Sequence, residues 1–173
     1  MNQIIYPYLP EGREIKYVPA DNIFMRHAYT TACSSSLDKA MPGGAVLVKG
    51  GVILGEGANG SVWHDNNECQ RIVQGCPSGE GYELCEGCHP KNHSEPSAIK
   101  SCVEKGGTPE NADLYLWGHW WCCEDCWKVM IDSGIRSVYL LEGSEYLFNK
   151  NHPNNIVGKQ FDEKLNGMKK IPQ

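Results

Sequence analysis

The chain lacks the features that would direct it to a membrane, an export pathway or a polynucleotide. No apolar run approaches the roughly 20 residues that a membrane helix needs. Residues 1–14 show no basic start followed by an apolar stretch, so no secretory signal is visible and a cytoplasmic location is expected. The net charge is −5 and only Lys169 and Lys170 are adjacent cations, which disfavours a polynucleotide partner but leaves a small anionic ligand open.

Cysteine, in contrast, is abundant, with nine residues in a chain of 173. Without a secretory signal, metal ligation explains these cysteines better than disulfides do. The composition, 40% hydrophobic and 21% charged, is typical of a globular protein. We expect one domain over residues 1–173, with a cysteine-rich insertion at about 61–92.

The spacing of apolar residues predicts helices on both faces of a mixed sheet. A helix is expected to begin at Asn22, or at Asp21, and to end near Ala40, before Pro42. Strands 45–48 and 52–54 read as a hairpin, and strand–helix–strand order favours parallel pairing of the later strands. The later predicted elements are a helix at 94–105, a strand at 114–117, a helix at 123–133, a strand at 138–141 and a short helix at 157–165.

Residues 61–92, which we call the cysteine-rich segment, have almost no apolar periodicity. A loop of this length is unusual in a compact domain, so something other than packing is expected to order it. Four cysteines could hold a structural zinc ion there, with His64 and His89 as substitutes. These cysteines are Cys69, Cys76, Cys85 and Cys88.

The most informative pattern is His93-Ser94-Glu95 followed by Cys123-Glu124-Asp125-Cys126. One histidine and two thiolates make a three-ligand zinc site, and a site with an open fourth position is typical of catalysis. Glu95 can reach a water at that position without being a ligand. A Cys-x-x-Cys alone could be a redox pair, and Glu95 alone could be an ordinary first-turn carboxylate, but the combination favours catalytic zinc.

These motifs resemble the zinc-dependent cytidine/deoxycytidylate deaminase superfamily, whose signature is His-x-Glu followed by Pro-Cys-x-x-Cys. The resemblance covers about residues 22–145 and is closest to the deoxycytidylate deaminase branch. It also includes residues 42–46, 57–60 and 112–116. Two departures are Cys122 in place of the usual proline and the long segment 61–92.

The resemblance implies a cytidine-deaminase-like three-layer α/β/α sandwich with about five strands. It implies hydrolytic conversion of dCMP to dUMP, with a zinc ion held by His93, Cys123 and Cys126 and with Glu95 as the proton shuttle. It also makes a second, structural zinc more credible, and places Asn59 near the sugar of a nucleotide. His119 and Trp120 could stack on the base, although such aromatics are more often part of a core.

Other functions remain open at this point. The same chemistry could act on a free nucleoside, another nucleotide or a nucleobase, whereas the acidic charge disfavours a tRNA adenosine deaminase. A non-catalytic zinc-binding module is the rival outside enzymes, but it leaves Glu95 unexplained. The family further implies a homo-oligomer, and regulation by dCTP or dTTP is left open.

Overall fold

The computed structural model describes residues 7–172. Five strands form one mixed sheet in the order β1-β5-β4-β2-β3. The strands are β1 (Ile15–Val18), β2 (Gly44–Lys49), β3 (Val52–Ala58), β4 (Asp113–Trp117) and β5 (Ser137–Leu141). Strands β1, β5 and β4 run parallel, while β2 pairs antiparallel with both β3 and β4. The predicted hairpin and the parallel pairing of the later strands are both confirmed.

Six α-helices accompany the sheet within residues 7–172. They are α1 (Ile23–Ser35), α2 (Gln70–Val73), α3 (Ser94–Glu104), α4 (Glu124–Asp132), α5 (Ser144–Phe148) and α6 (Glu163–Asn166). Helix α1 packs on one face of the sheet through residues such as Met25 and Tyr29. Helices α3 and α4 cover the other face through Ala98, Cys102 and Trp127. The three-layer α/β/α architecture predicted from the sequence is confirmed.

Helix α1 shows where local signals succeed and where they fail. Asn22 caps its start, because the Asn22 side chain accepts hydrogen bonds from the N–H groups of Phe24 and Met25. The expected end near Ala40 is wrong, since the helix stops at Ser35. The Ser36 backbone is extended, and its hydroxyl instead hydrogen-bonds to the Asn59 side-chain oxygen at 2.7 Å.

One further prediction needs correction, and one strand was missed. The helix expected at 157–165 is reduced to α6, because Gly158 adopts a positive φ of 89° and ends any helix there. Strand β1 was not predicted at all. It is a four-residue edge strand with two exposed residues, which is too short to show an alternating pattern.

Helix α3 approaches strand β3 unusually closely. A side chain at Gly55 or Gly57 would collide with the backbone of Ala98. Glycine at both positions therefore lets the helix lie against the strand and fixes where the start of α3 stands over the sheet. This packing matters because the first turn of α3 carries His93 and Glu95.

The cysteine-rich segment contains only short helical turns. Besides α2, it forms 3-10 turns at Val62–Asp65, Tyr82–Leu84, Glu86–Cys88 and Pro90–Asn92. Its apolar side chains are largely exposed, including Val62 at 66% and Ile72 at 78% of their surface. Within residues 7–172, none of the helices has the length and apolar character needed to cross a bilayer.

Candidate metal centres and active site

Two helix N-termini bring the first group of metal-binding side chains together. His93 caps α3 and Cys123 caps α4, with Cys126 in the first turn of α4. The N–H of Cys126 donates to the Cys123 sulfur at 3.4 Å, so the helix start orients this thiol. The two sulfurs therefore face His93 from one direction, as the Cys-x-x-Cys spacing at a helix start predicts.

The distances in this group suit a tetrahedral zinc ion. His93 Nδ1 lies 3.3 Å from the sulfur of Cys126 and 3.5 Å from that of Cys123. Zinc bonds of about 2.3 Å to sulfur and 2.0 Å to nitrogen would separate these atoms by roughly 3.5 Å. No fourth His, Cys, Asp or Glu among residues 7–172 joins the group. The group thus offers three potential ligands, the number expected of a catalytic zinc site.

Electrostatics favour thiolate at this centre even before a metal binds. A hydrogen bond from the Cys126 thiol, followed by one from His93, lowers the pKa of Cys123 to about 6. The same sharing of a proton with Cys123 raises the pKa of Cys126. One thiolate is therefore available near neutral pH, and a bound zinc ion would hold both sulfurs deprotonated.

Glu95 lies beside this centre but outside its ligand group. It is in the first turn of α3 and only 5% of its surface is exposed. Its charge acts on His93, Cys123 and Cys126, and its carboxylate lies beside the Cys122 thiol and raises the pKa of that thiol. A buried carboxylate next to a three-ligand centre is placed for proton transfer to a group bound there.

His119 and Ser94 form one wall near the centre. A side chain at Gly43 would lie 2.7 Å from the His119 ring and 3.1 Å from the Ser94 hydroxyl, so only glycine fits there. Burial, reinforced by the charge of His93, lowers the pKa of His119 to about 4. The His119 imidazole is therefore neutral at physiological pH and offers one donor and one acceptor.

Trp120 and Asn59 are tied to the surrounding structure. Trp120 is half-buried and packs against the core beneath α1. Its ring stands edge to face against that of Trp121, with 6.3 Å between the ring centroids. The Asn59 oxygen accepts from the Gly43 N–H at 2.7 Å, and its amide nitrogen donates to the Met41 carbonyl at 2.7 Å. These bonds make Asn59 a support for the loop before β2, and its role toward a substrate stays a prediction.

A second group of side chains that could bind a metal lies in the cysteine-rich segment. It consists of His64, Cys69, Cys85 and Cys88. His64 Nε2 lies 3.1 Å from the Cys85 sulfur and 3.8 Å from that of Cys88, and the sulfurs of Cys69 and Cys88 are 3.5 Å apart. Four donors at these distances match a closed tetrahedral site, which is typical of structural zinc.

One of the four residues of this second group differs from the sequence prediction. Cys76 lies outside it, and His64, considered beforehand as a substitute, takes the fourth place. The Cys76 N–H bonds to the Arg71 carbonyl in the turn after α2, and its sulfur faces Gly81. That turn carries Cys76 away from the other cysteines, which the spacing of cysteines along the chain cannot reveal.

Two residues near the centre were not singled out as functional by sequence reasoning. Cys122, noted above only as a departure from the usual proline, lies beside Glu95. Tyr82 places its ring 5.0 Å from that of His93 at an interplanar angle of 76°. Tyr82 comes from the segment without periodicity, where no pattern signals which side chain turns inward.

The family model of the cytidine and deoxycytidylate deaminase zinc-binding region matches residues 19–142. No curated protein sequence matches the chain.

Solved structures similar to the chain include a dCMP deaminase from the cyanophage S-TIM5 in complex with dCMP and dUMP. Sequence identity is 23%, the TM-score is 0.43, and 70% of this chain and 82% of that chain are covered. A guanine deaminase from Bacillus subtilis matches at 21% identity and a TM-score of 0.41, covering 68% and 60% respectively.

A third similar structure is a diaminohydroxyphosphoribosylaminopyrimidine deaminase/5-amino-6-(5-phosphoribosylamino)uracil reductase from Thermotoga maritima. Identity is 24% and the TM-score is 0.43. The match covers 68% of this chain but spans only 28% of that longer chain.

Proposed function

Because the chain belongs to the cytidine and deoxycytidylate deaminase family of zinc-binding proteins, we propose that it hydrolyses dCMP to dUMP and ammonia. The observation that carries this proposal is the three-ligand group of His93, Cys123 and Cys126 with the buried Glu95 carboxylate beside it. A metal site with only three protein ligands and an adjacent proton acceptor suits hydrolysis better than a structural role.

The residues divide the chemistry between them. Zinc held by His93, Cys123 and Cys126 would lower the pKa of a bound water, so that hydroxide becomes available to attack C4 of the pyrimidine. Glu95 would accept the proton that this water loses and deliver it to N3. It would then pass the proton of the new C4 hydroxyl to the amino group, which leaves as ammonia. Because its carboxylate is buried, Glu95 exchanges protons with the substrate in preference to bulk solvent.

Substrate contacts are proposed for three further residues. The neutral His119 imidazole, beside Ser94, can hydrogen-bond to a polar edge of the base. Trp120 offers the exposed part of a half-buried ring for stacking. The Asn59 side chain already bonds to Ser36, Gly43 and Met41, and it is proposed to contact the sugar hydroxyl by giving up its long 3.5 Å contact with Asp38.

A mononucleotide is proposed over a polynucleotide because of charge. The net charge is −5 and the cations are scattered, which suits one phosphate better than a tRNA or DNA backbone. A free nucleoside, another nucleotide or a nucleobase such as guanine would use the same proton shuttle. The choice among these depends on contacts outside the metal centre, and homo-oligomer formation stays a prediction.

A substrate panel tests the proposed function directly. Ammonia release is measured for dCMP, deoxycytidine, CMP, guanine, single-stranded DNA and tRNA at equal concentration, with the zinc-loaded protein. dCMP is expected to react fastest, and the Glu95→Ala variant serves as the control for contaminating deaminase. A faster reaction with deoxycytidine or guanine would reassign the substrate, and no release from any of them would contradict a deaminase function.

We further propose that the chain binds a second zinc ion, through His64, Cys69, Cys85 and Cys88. Three thiolates and one imidazole are a common donor set for structural zinc. The cysteine-rich segment has few buried apolar side chains to order it, so metal binding would contribute most of its ordering free energy.

A further inference from the structure

The two candidate metal groups meet at His93. The backbone carbonyl of Cys88, itself a member of the second group, interacts with the His93 ring and favours a proton on it. Nδ1 of His93 faces the sulfurs of Cys123 and Cys126, which leaves Nε2 as the ring nitrogen free to donate to this carbonyl. A proton held on Nε2 in this way would leave the lone pair of Nδ1 directed toward the metal.

A second contact reaches His93 from the cysteine-rich segment through Tyr82. The Tyr82 ring stands edge to face against the His93 ring, and the Arg71 guanidinium lies 4.4 Å from the centroid of the Tyr82 ring. Arg71 in turn donates to the carbonyls of Glu80 at 2.8 Å and Pro77 at 3.0 Å. Tyr82 is therefore held in place by a residue of α2.

Both contacts start from backbone that the second group holds together. Cys69 caps the helix α2 that carries Arg71, and Cys85 and Cys88 bracket the turn whose last carbonyl meets His93. The same turn binds Asn92, next to His93, through the carbonyls of Glu86 and Gly87 at 2.9 and 3.2 Å. Packing alone does little to hold this backbone, since the segment leaves its apolar residues exposed.

We propose that the second metal group is a positioning element for the catalytic metal centre: metal binding by His64, Cys69, Cys85 and Cys88 fixes the Cys88 carbonyl and Tyr82, and these orient His93. The inference rests on the proposed function only in calling the first centre catalytic. The coupling itself concerns the metal affinities of the two groups and can be measured without turnover. Groups that orient a metal-binding histidine typically change metal affinity by about 10- to 100-fold.

His64 provides the sharpest test, because its side chain is exposed at the surface and is absent from both contacts with His93. In His64→Ala the second group loses a ligand, whereas His64→Cys retains four donors. Zinc content is measured first. Zinc affinity at the centre of His93, Cys123 and Cys126 is then measured by competition with a chromophoric chelator, and Co²⁺ absorption reports the geometry of that centre.

The expected result for His64→Ala is loss of one zinc ion, about 10- to 100-fold weaker zinc binding at the remaining centre, and an altered Co²⁺ spectrum. His64→Cys should restore the stoichiometry, the affinity and the spectrum. Cys76→Ser is the matched control, because Cys76 is a thiol of the same segment that lies outside the group. It should leave the zinc stoichiometry, the zinc affinity and the Co²⁺ spectrum unchanged. Circular dichroism checks that each variant is folded.

The proposal is overturned if His64→Ala loses the second zinc while the remaining centre keeps its wild-type affinity and Co²⁺ spectrum. It is also overturned if the wild-type protein binds only one zinc ion per chain. Neither readout uses deaminase activity. If the zinc affinities of the two groups are coupled but dCMP is not turned over, this inference stands and the proposed function fails. If dCMP is turned over but the affinities are independent, the proposed function stands and this inference fails.

Discussion

The thiol of Cys122 lies beside the carboxylate of Glu95, and both residues are buried. Burial and the neighbouring carboxylate raise the pKa of the Cys122 thiol far above its usual value, so it stays protonated and can donate a hydrogen bond to Glu95. Cys122 stands where related proteins usually carry proline. This chain thus places a thiol donor beside the group proposed to shuttle protons.

Replacing Cys122 should therefore affect turnover more than binding. Loss of a hydrogen bond to a charged group is commonly worth about 1.5 kcal/mol, so Cys122→Ala is expected to lower kcat about 10-fold. Cys122→Ser keeps a donor and should retain most activity. Steady-state kinetics with dCMP and zinc content are the measurements. Cys102→Ala, which removes another buried thiol on the same face of the sheet, is the control for packing loss.

Glu95 is expected to be required for turnover but not for metal binding. General acid–base groups contribute roughly 10²- to 10⁴-fold, and Glu95 is proposed to serve several transfers in turn, so Glu95→Ala should lose at least that much activity. Zinc content and the thermal unfolding temperature should stay near those of the wild type. Near-normal turnover of dCMP by this variant would contradict the assigned mechanism.

The cysteine-rich segment should bind one of two zinc ions per chain. Replacing Cys85 and Cys88 by serine is expected to remove that ion and to speed amide exchange in residues 61–92, because metal binding orders the segment. Amide exchange of β2 and β4 should stay slow. Elemental analysis and hydrogen exchange are the measurements. If all cysteines of this segment react as free thiols in the native protein, the prediction is wrong.

His119 should make stability depend on pH. Its pKa is about 4 in the folded protein and about 6.5 when unfolded, so only the unfolded state takes up the proton between these values. Stability is therefore fully present above pH 6.5 and falls as pH drops toward 4, by roughly 2 kcal/mol at pH 5 and at most about 3 kcal/mol.

Urea unfolding at pH 7.5 and pH 5 measures this dependence. Protonation of the metal ligands lowers stability at acid pH in every variant. The wild type is therefore compared with His119→Asn, in which all the metal ligands are retained. The fall in the free energy of unfolding should be smaller in this variant by about 2 kcal/mol. Equal falls in the two proteins would show that His119 is not buried in its neutral form.

Local signals in the sequence were sufficient for helices α1, α3 and α4, for strands β2 to β5, and for the residues of the first metal group. The Asn22 cap, the apolar spacing of α3 and the hairpin of β2 and β3 all depend on residues close together in the chain, so their patterns survive in one dimension. The ends of elements were less certain. Helix α1 stops early because Ser36 hydrogen-bonds to Asn59, a residue 23 positions away.

The sequence by itself determined the chemistry of the centre, because His93, Glu95, Cys123 and Cys126 lie at two helix starts whose spacing is local. Only the tertiary structure decided which residues surround it. Three features bring together residues that no local pattern links: the approach of Cys122 to Glu95, the choice of His64 over Cys76, and the approach of Tyr82 to His93. In the cysteine-rich segment no apolar period records which side chains turn inward. The arrangement of this segment depends on thiols and an imidazole that come together in space, and their spacing along the chain does not encode which of them meet.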